Sequence, residues 1–304
     1  MAASETLAAR VEERVPPVWA LAVAVLAVST SAILVRWSGA PSVVKAFYRV
    51  LFTTALLAPL AFSRHGEDLR TLGRRDALAA GATGVALALH FAAWFQSVEW
   101  TSVAASVTLV QSQPLFVAVG AWALLDERLT ARKLAGILVA VGGIVAMSTG
   151  ELVSGGLVGP RPLAGNALAV VGAVMMAAYV LAGRSLRARV ALVPYVVVVY
   201  GACALVLLGI AVAQGAALGG YPPGEWLLFL GMAVGPGVFG HTVINWALEH
   251  VESSVVSVSL LGEPVGSTLL AAVLLAETPG AWTVAGGAVV LAGIYVTARA
   301  REQG

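Results

Sequence analysis

Residues 103–125 read VAASVTLVQSQPLFVAVGAWALL, a stretch without a charged residue that is long enough to cross a lipid bilayer. Pro114 lies about halfway along this stretch and removes one backbone hydrogen-bond donor from its middle. Residues 255–276 read VVSVSLLGEPVGSTLLAAVLLA and place Pro264 at the corresponding point. The two stretches predict membrane helices with matched irregularities, one in each half of the chain.

The composition of the whole chain agrees with a membrane location. Of its 304 residues, 59% are apolar and 11% are charged, with a mean hydropathy of +0.90. Soluble domains carry about 25% charged residues, so this composition disfavours soluble enzymes. The net charge of +2 gives no polyanion-binding patch, so we expect no nucleic-acid partner. Cys203 is the only cysteine, which excludes an intrachain disulfide and a cysteine-based metal site.

Apolar segments bounded by charges, Pro/Gly clusters or polar turns predict ten transmembrane helices. A signal peptide in place of the first segment is disfavoured, because its apolar region would be only about 7–15 residues long. The predicted spans are 18–37, 43–62, 77–98, 103–125, 134–149, 163–183, 194–214, 226–248, 255–276 and 281–298, with a basic loop at 64–76.

The basic residues predict the orientation of these spans. Fourteen of the 18 Lys and Arg residues fall at the chain ends or in alternate loops, and short cytoplasmic loops collect such residues. Arg36, Lys45 and Arg161 fall in the other loops, and Arg49 lies within a span. We therefore expect a multi-pass protein of the cell (inner) membrane with both termini in the cytoplasm.

The two halves of the chain match at an offset of 150 residues. Each half contains five predicted spans, and an odd number of spans inverts the second half relative to the first. The predicted organisation is a cytoplasmic segment (1–17), a first repeat (18–149), an extracytoplasmic linker (150–162), a second repeat (163–298) and a cytoplasmic tail (299–304). The identical pairs include Pro114/Pro264, Glu127/Glu277, Gly136/Gly286 and Gly143/Gly293.

Several motifs resemble one known family of membrane proteins. They are His90-Phe91-Ala92-Ala93-Trp94, Gln113-Pro114-Leu115-Phe116, the 125–130 loop LDERLT, and Leu261-Gly262-Glu263-Pro264-Val265 with a turn at Glu277. Together they are similar to the paired EamA repeats of the drug/metabolite transporter superfamily, over residues 18–298. The resemblance implies a ten-helix secondary transporter without enzymatic activity. The chain also lacks the usual ATPase, zinc-hydrolase and serine-hydrolase motifs.

Glycines and acidic residues at repeat-equivalent positions suggest structural roles. Close approach of helices, where lipid offers no hydrophobic driving force, is expected at Gly136, Gly143, Gly286 and Gly293 and, on the third span, at Gly81 and Gly84. Glu127 and Glu277 are expected on opposite sides of the membrane, each capping the N-terminus of the helix that follows it.

Irregular helices are expected to mark the transport path, because a freed backbone carbonyl in a membrane must face protein or a watery cavity. A simple packing kink is the alternative. The candidate helix-break and gating residues are Pro114, Pro264, Gly235 and Pro236.

Polar and aromatic residues on helix faces predict a central substrate cavity. His90, Trp94, Ser97 and Thr101 form one stripe on the third span. For His90 and Gln111, a purely interhelical hydrogen bond is the alternative role. The predicted substrate-binding residues are Tyr48, Arg49, His90, Trp94, Gln111, Gln113, Tyr179, Asn245 and Glu263. No metal or other cofactor is expected.

Glu263 is also the candidate coupling residue, because an ionised carboxylate at the midplane is costly unless it is paired or protonated. It is expected to exchange a proton for cargo, to bind a cargo ammonium, or to hydrogen-bond Ser259, Ser267 and nearby backbone. The predicted function is export of small amphipathic metabolites such as amino acids by alternating access. Efflux of lipophilic cationic drugs is the first alternative, and an intramembrane enzyme or passive channel comes after it. A monomer and a homodimer both remain open.

Overall fold

The computed structural model describes residues 17–125, 128–187, 190, 192–243 and 259–299, and every regular element in these ranges is helical. The first half contains α1 (Pro17–Ser29), α2 (Ser31–Trp37), α3 (Ser42–Thr71), α4 (Arg74–Trp100), α5 (Val103–Val110), α6 (Gln113–Leu124) and α7 (Ala131–Ser154). The second half contains α8 (Pro162–Arg187), α9 (Leu192–Ala213), α10 (Pro223–Met232), a π-helical segment (Ala233–Thr242), α11 (Gly262–Leu274) and α12 (Ala281–Arg299).

The helices agree with the predicted membrane architecture. Seven helical stretches of the described ranges are long and apolar enough to cross a bilayer. The other three predicted spans correspond to α3, to α10 with the π-helical segment, and to α11 with residues outside the described ranges. The predicted basic loop was wrong in part, because α3 continues to Thr71. Arg and Glu have good helix propensity, so a helix can extend past its apolar segment.

The close contact between α7 and α12 shows that the two halves are inverted. A Cβ atom added at Gly136 would lie 2.8 Å from the Gly293 carbonyl oxygen, and one at Gly143 would lie 2.8 Å from the Gly286 carbonyl oxygen. Gly136 is equivalent to Gly286 in the repeat, and Gly143 to Gly293, so the equivalent helices run antiparallel. The prediction that these four glycines are packing residues is confirmed, as it is for Gly84, where an added Cβ atom would lie 2.7 Å from the Ala202 Cβ atom. It was wrong for Gly81, which has open space beside it.

Both repeats interrupt one helix at the same place. α5 ends at Val110 and α6 begins at Gln113, while α11 begins at Gly262 after a turn at Leu261. Pro114 and Pro264 therefore lie in the first turn of the second segment, where a missing N–H group costs little. The chain breaks just before each proline, and the preceding turn carries the irregularity.

Two further predicted spans are also irregular in the described residues. Thr30 separates α1 from α2, and its hydroxyl donates to the Ala27 carbonyl at 2.7 Å. Around Gly235 and Pro236 the chain widens into ten residues of π-helix, so the predicted break there is a change of helix type. π-helical turns leave backbone groups less regularly paired and occur often at functional sites.

Glu277 does not cap the helix that follows it, so that prediction was wrong. Its Oε1 accepts a hydrogen bond from the Val103 N–H at 2.5 Å, and its Oε2 pairs with Arg36 Nη2 at 3.0 Å. Glu277 thus caps α5, a helix of the other repeat. Glu127 lies outside the described residues.

Candidate functional site

The interrupted helices meet around one cavity of about 60 Å³. Ser31 lies at the start of α2, Gln111 between α5 and α6, Pro236 in the π-helical segment, and Glu263 at the start of α11. Backbone groups without a regular helical partner are thereby collected in a single polar region, as membrane burial requires. The cavity is lined by Val28, Ser31, Arg49, His90, Phe91, Trp94, Val110, Gln111, Gln113, Met176, Pro236 and Glu263.

Glu263 places its carboxylate at the boundary between the repeats. Its Oε2 accepts a hydrogen bond from Gln111 Nε2 at 2.6 Å. Glu263 is in the first turn of α11, where the helix dipole favours a negative charge. Ser267, which was expected to bind Glu263, instead donates to the Ser29 carbonyl at 3.1 Å. Gln113, the repeat equivalent of Glu263, lines the same cavity as a neutral amide.

Arg49 contributes a buried cation to the cavity. Its guanidinium lies 4.7 Å from the centre of the Phe91 ring and 5.7 Å from that of Phe95. Nη1 donates to Ser31 Oγ at 3.3 Å. Within the described part of the chain, no carboxylate oxygen lies within ion-pair distance of Arg49. The cavity therefore holds a guanidinium and a carboxyl group without an ion pair between them.

His90 and Trp94 stack on one another but differ in their hydrogen bonding. The two ring centres are 6.1 Å apart, with an angle of 21° between the planes. His90 Nδ1–H donates to the Gly172 carbonyl on α8 at 2.9 Å, which is the interhelical bond considered as its alternative role. Trp94 is 5% exposed, and its Nε1 has no partner among the described residues. Trp94 thus lines the cavity and carries a buried donor that has no partner among these residues.

The rest of the predicted stripe on α4 turns away from this cavity. Ser97 Oγ lies 2.8 Å from Ser106 Oγ, and Thr101 Oγ1 donates to Asn166 Oδ1 at 2.7 Å. Both residues connect helices and leave the cavity wall at Trp94. The prediction of one continuous cavity-lining stripe was wrong beyond that residue, because neighbouring helices supply partners for its outer part.

Of the predicted site residues, two lie away from the cavity and a third lies outside the residues that the structure describes. Tyr48 stacks on Phe229, with ring centres 4.9 Å apart, and its hydroxyl donates to the Leu218 carbonyl. Tyr179 packs against the main apolar core and does not line the cavity. Asn245 lies outside the described residues.

Sequence reasoning missed Ser31 and Met176 as lining residues. Ser31 belongs to the polar run Val28-Ser29-Thr30-Ser31, which interrupts an apolar span and was a usable signal. Met176 is one of several apolar residues on α8, and only packing places it beside the polar cluster.

Known proteins resemble the chain over most of its length. Residues 15–149 and 163–299 each match the model of the EamA-like transporter family. Two curated relatives, both named only as uncharacterized transporters of Archaeoglobus fulgidus, are 25% and 32% identical over 261 and 197 residues. The first alignment covers 85% of this chain and 88% of the relative, and the second covers 64% and 67%. A solved structure titled only as the crystal structure of a protein superposes with a TM-score of 0.63 at 20% identity, covering 94% of this chain and 98% of its own.

Proposed function

The chain belongs to the EamA-like transporter family, and on that premise we propose that it exports small zwitterionic metabolites of the amino-acid class by alternating access. It is a membrane transporter and not an enzyme. The cargo class, the direction and the mechanism are the proposed part.

The observation that supports this cargo class is that Arg49 and Glu263 line one small cavity without an ion pair between them. A buried charge is costly unless a partner compensates it. An amino acid supplies both partners, because its carboxylate suits the Arg49 guanidinium and its ammonium suits the Glu263 carboxylate. The Trp94 indole N–H is a further donor for the cargo carboxylate.

The rest of the cavity limits the size and charge of the cargo. Phe91 and Trp94 offer apolar faces to a side chain, and the volume of about 60 Å³ favours a small one. Arg49 is the one cation among the lining residues in the described part of the chain. Sugar phosphates and nucleotide sugars need several Lys or Arg contacts around their phosphates, so this wall disfavours them.

The inverted repeats support alternating access, in which the halves exchange equivalent conformations about a central site. Two ion pairs lie on the side that we predict to be extracytoplasmic. Arg36 pairs with Glu277 at 3.0 Å, and Lys45 pairs with Glu99 at 2.5 Å. In the proposed cycle these ion pairs close that side in the described conformation.

A comparison of an amino acid with its decarboxylated amine tests the proposal. Purified protein in liposomes should exchange the amino acid in a counterflow assay. Arg49→Gln should lower amino-acid exchange about 10- to 100-fold and leave amine exchange much less changed, because only the acid has a carboxylate. Arg161→Gln is the control, since Arg161 stacks on Trp100 outside the cavity. Amino-acid exchange that is equal in Arg49→Gln and the control would overturn the role of Arg49 and Glu263.

Efflux of lipophilic cations is the second candidate, supported by the aromatic enclosure of Arg49. If Phe91 and Phe95 hold the guanidinium away from cargo, Glu263 alone remains to bind it. Counterflow of a lipophilic ammonium compound without amino-acid counterflow would favour this candidate. Flux without any counterflow would indicate a passive channel.

A further inference from the structure

A second and larger cavity lies between α5, α11 and α12. Its volume is about 260 Å³, and it shares no lining residue with the first cavity. α5 of the first repeat forms its floor, and α11 and α12 of the second repeat form its walls. This groove is lined by Ala104, Thr108, Pro264, Val265, Thr268, Leu269, Pro279, Thr283, Val284, Gly287, Ala288 and Leu291.

The groove opens sideways, towards the surface that faces lipid. Val265, Leu269 and Val284 line it and are 52%, 62% and 57% exposed. An apolar cavity of 150 Å³ in another protein binds benzene, so this one has room for a longer hydrocarbon. Apolar walls gain dispersion contacts when a hydrocarbon fills the space between them. In a bilayer the adjacent hydrocarbon is the lipid itself.

Thr283 adds a polar feature to this apolar groove. The residue is only 3% exposed, and its Oγ1 has no hydrogen-bond partner within the described ranges. By contrast, Thr268 in the opposite wall donates its hydroxyl to the Pro264 carbonyl at 2.7 Å. A buried hydroxyl without a partner is costly, and Thr283 is one of the residues that line the groove.

The depth of Thr283 identifies the kind of acceptor. It lies in the first turn of α12, next to the loop that contains Pro279, and thus near the edge of the hydrocarbon layer. Leu291 lies eight residues further along α12, about 12 Å at 1.5 Å per residue. One leaflet of the hydrocarbon layer is about 15 Å thick. The groove therefore runs from the level of lipid ester groups towards the middle of the bilayer.

We propose that this groove binds one acyl chain of a bilayer glycerolipid, whose ester carbonyl accepts a hydrogen bond from Thr283 Oγ1. The lipid lies between α5 of one repeat and α11 and α12 of the other, and it contacts Pro264, the residue after Glu263. This site is separate from the cargo cavity, and its existence does not depend on which cargo the protein carries.

Photocrosslinking tests the site directly. The protein is placed in nanodiscs with phosphatidylglycerol that carries a diazirine in its acyl chain, and the crosslinked peptides are mapped by mass spectrometry. We expect the label on α11 and α12. Gly287→Leu should reduce it at least fivefold, because a Cβ atom there has its nearest neighbour at 3.6 Å and the remaining side chain enters the groove. Gly142→Leu is the matched control, since α7 has open space at Gly142.

The hydrogen bond has its own test, which also serves if Gly287→Leu fails to fold. Thr283→Val keeps the side-chain shape and removes the donor, so it should reduce labelling by the ester lipid two- to fivefold. An ether-linked lipid lacks the carbonyl, and Thr283→Val should not change its labelling. Label spread equally over α7 and the groove overturns the site, as does displacement of the label by excess amino acid. Equal effects of Thr283→Val on both lipids overturn the ester contact.

Discussion

Glu263 concentrates the chemistry of the cavity in a single side chain. It is bonded to Gln111 across the repeat boundary, and its second carboxylate oxygen has room for a cargo ammonium in the proposed complex. The three roles expected for this residue from the sequence differ in what they require of its charge. Only proton exchange and ammonium binding need a titratable group, so removal of the charge separates them from a structural role.

Glu263→Gln should lower both counterflow and gradient-driven transport of an amino acid about 10- to 100-fold, because a charge-assisted hydrogen bond to the ammonium is lost. Transport by reconstituted protein is the measurement, with thermal unfolding as the check on folding. Glu151→Gln is the control, since Glu151 is a buried carboxylic acid residue that lies outside the cavity.

The outcomes for Glu263→Gln are distinct. Loss of proton dependence with surviving counterflow would assign Glu263 to proton coupling and would contradict ammonium binding. Rates and pH dependence like those of the wild type, in a well-folded variant, would leave only the structural role.

Sequence reasoning located part of the cavity, but it could not distinguish an aromatic residue that lines the cavity, such as Trp94, from one that lies elsewhere, such as Tyr48. His90, Trp94, Gln111 and Glu263 were found because polar residues within an apolar span are rare enough to stand out. Tyr48 carries the same signal, yet its hydroxyl reaches the Leu218 carbonyl in a distant loop. Such a partner depends on tertiary packing, which helix periodicity does not contain.

At the scale of helices, the close packing of α7 on α12 depends on glycine at particular positions. Periodicity and the 150-residue offset predicted these positions, because small residues at equivalent sites in two apolar helices have few other uses. The helix breaks were predicted less well. Proline marked them to within a few residues, but the turn before each proline and the π-helical segment depend on how neighbouring helices pack.

Gly143→Ala should destabilise the protein by about 1–3 kcal/mol, the range for overpacking a tight contact. The added Cβ would lie 2.7 Å from the Val290 backbone nitrogen and 2.8 Å from the Gly286 carbonyl oxygen, and backbone atoms cannot move aside cheaply. Gly142→Ala on the same helix has open space and should change stability by less than about 0.5 kcal/mol. Thermal unfolding in one detergent compares the two, and equal melting temperatures would contradict the packing role.

At the scale of the molecule, the two inverted repeats of an all-helical membrane protein agree with the prediction from the sequence. The orientation of the termini stays a prediction. Glu277 joins the repeats by accepting from Val103 and pairing with Arg36. The sequence showed that Glu277 has an equivalent in Glu127, but which helix it caps is a property of the assembled halves.

Glu277→Gln should favour opening of the predicted extracytoplasmic side, because it removes the ion pair with Arg36 while an amide oxygen can still accept from Val103. The measurement uses Met176→Cys in a Cys203→Ala background and a membrane-impermeant thiol reagent added outside. We expect labelling to rise about two- to fivefold, since a surface ion pair contributes up to about 1 kcal/mol. Arg161→Gln is the control outside this contact. Unchanged or slower labelling would contradict a closing role for the pair.

Glu263 of the second repeat corresponds to Gln113 of the first, and this difference affects the two faces of the membrane unequally. The duplicated backbones are related by approximate symmetry, so their geometry alone would give the two end states of the proposed cycle the same energy. The second repeat carries a carboxyl group at this position, and the first repeat carries a neutral amide. Helix ends and solvent therefore surround a different charge in each state, and the unloaded carrier has an intrinsic preference for one face of the membrane. This preference changes the transport rates from the two faces, whereas the net direction follows the gradients of the cargo and of any coupled ion.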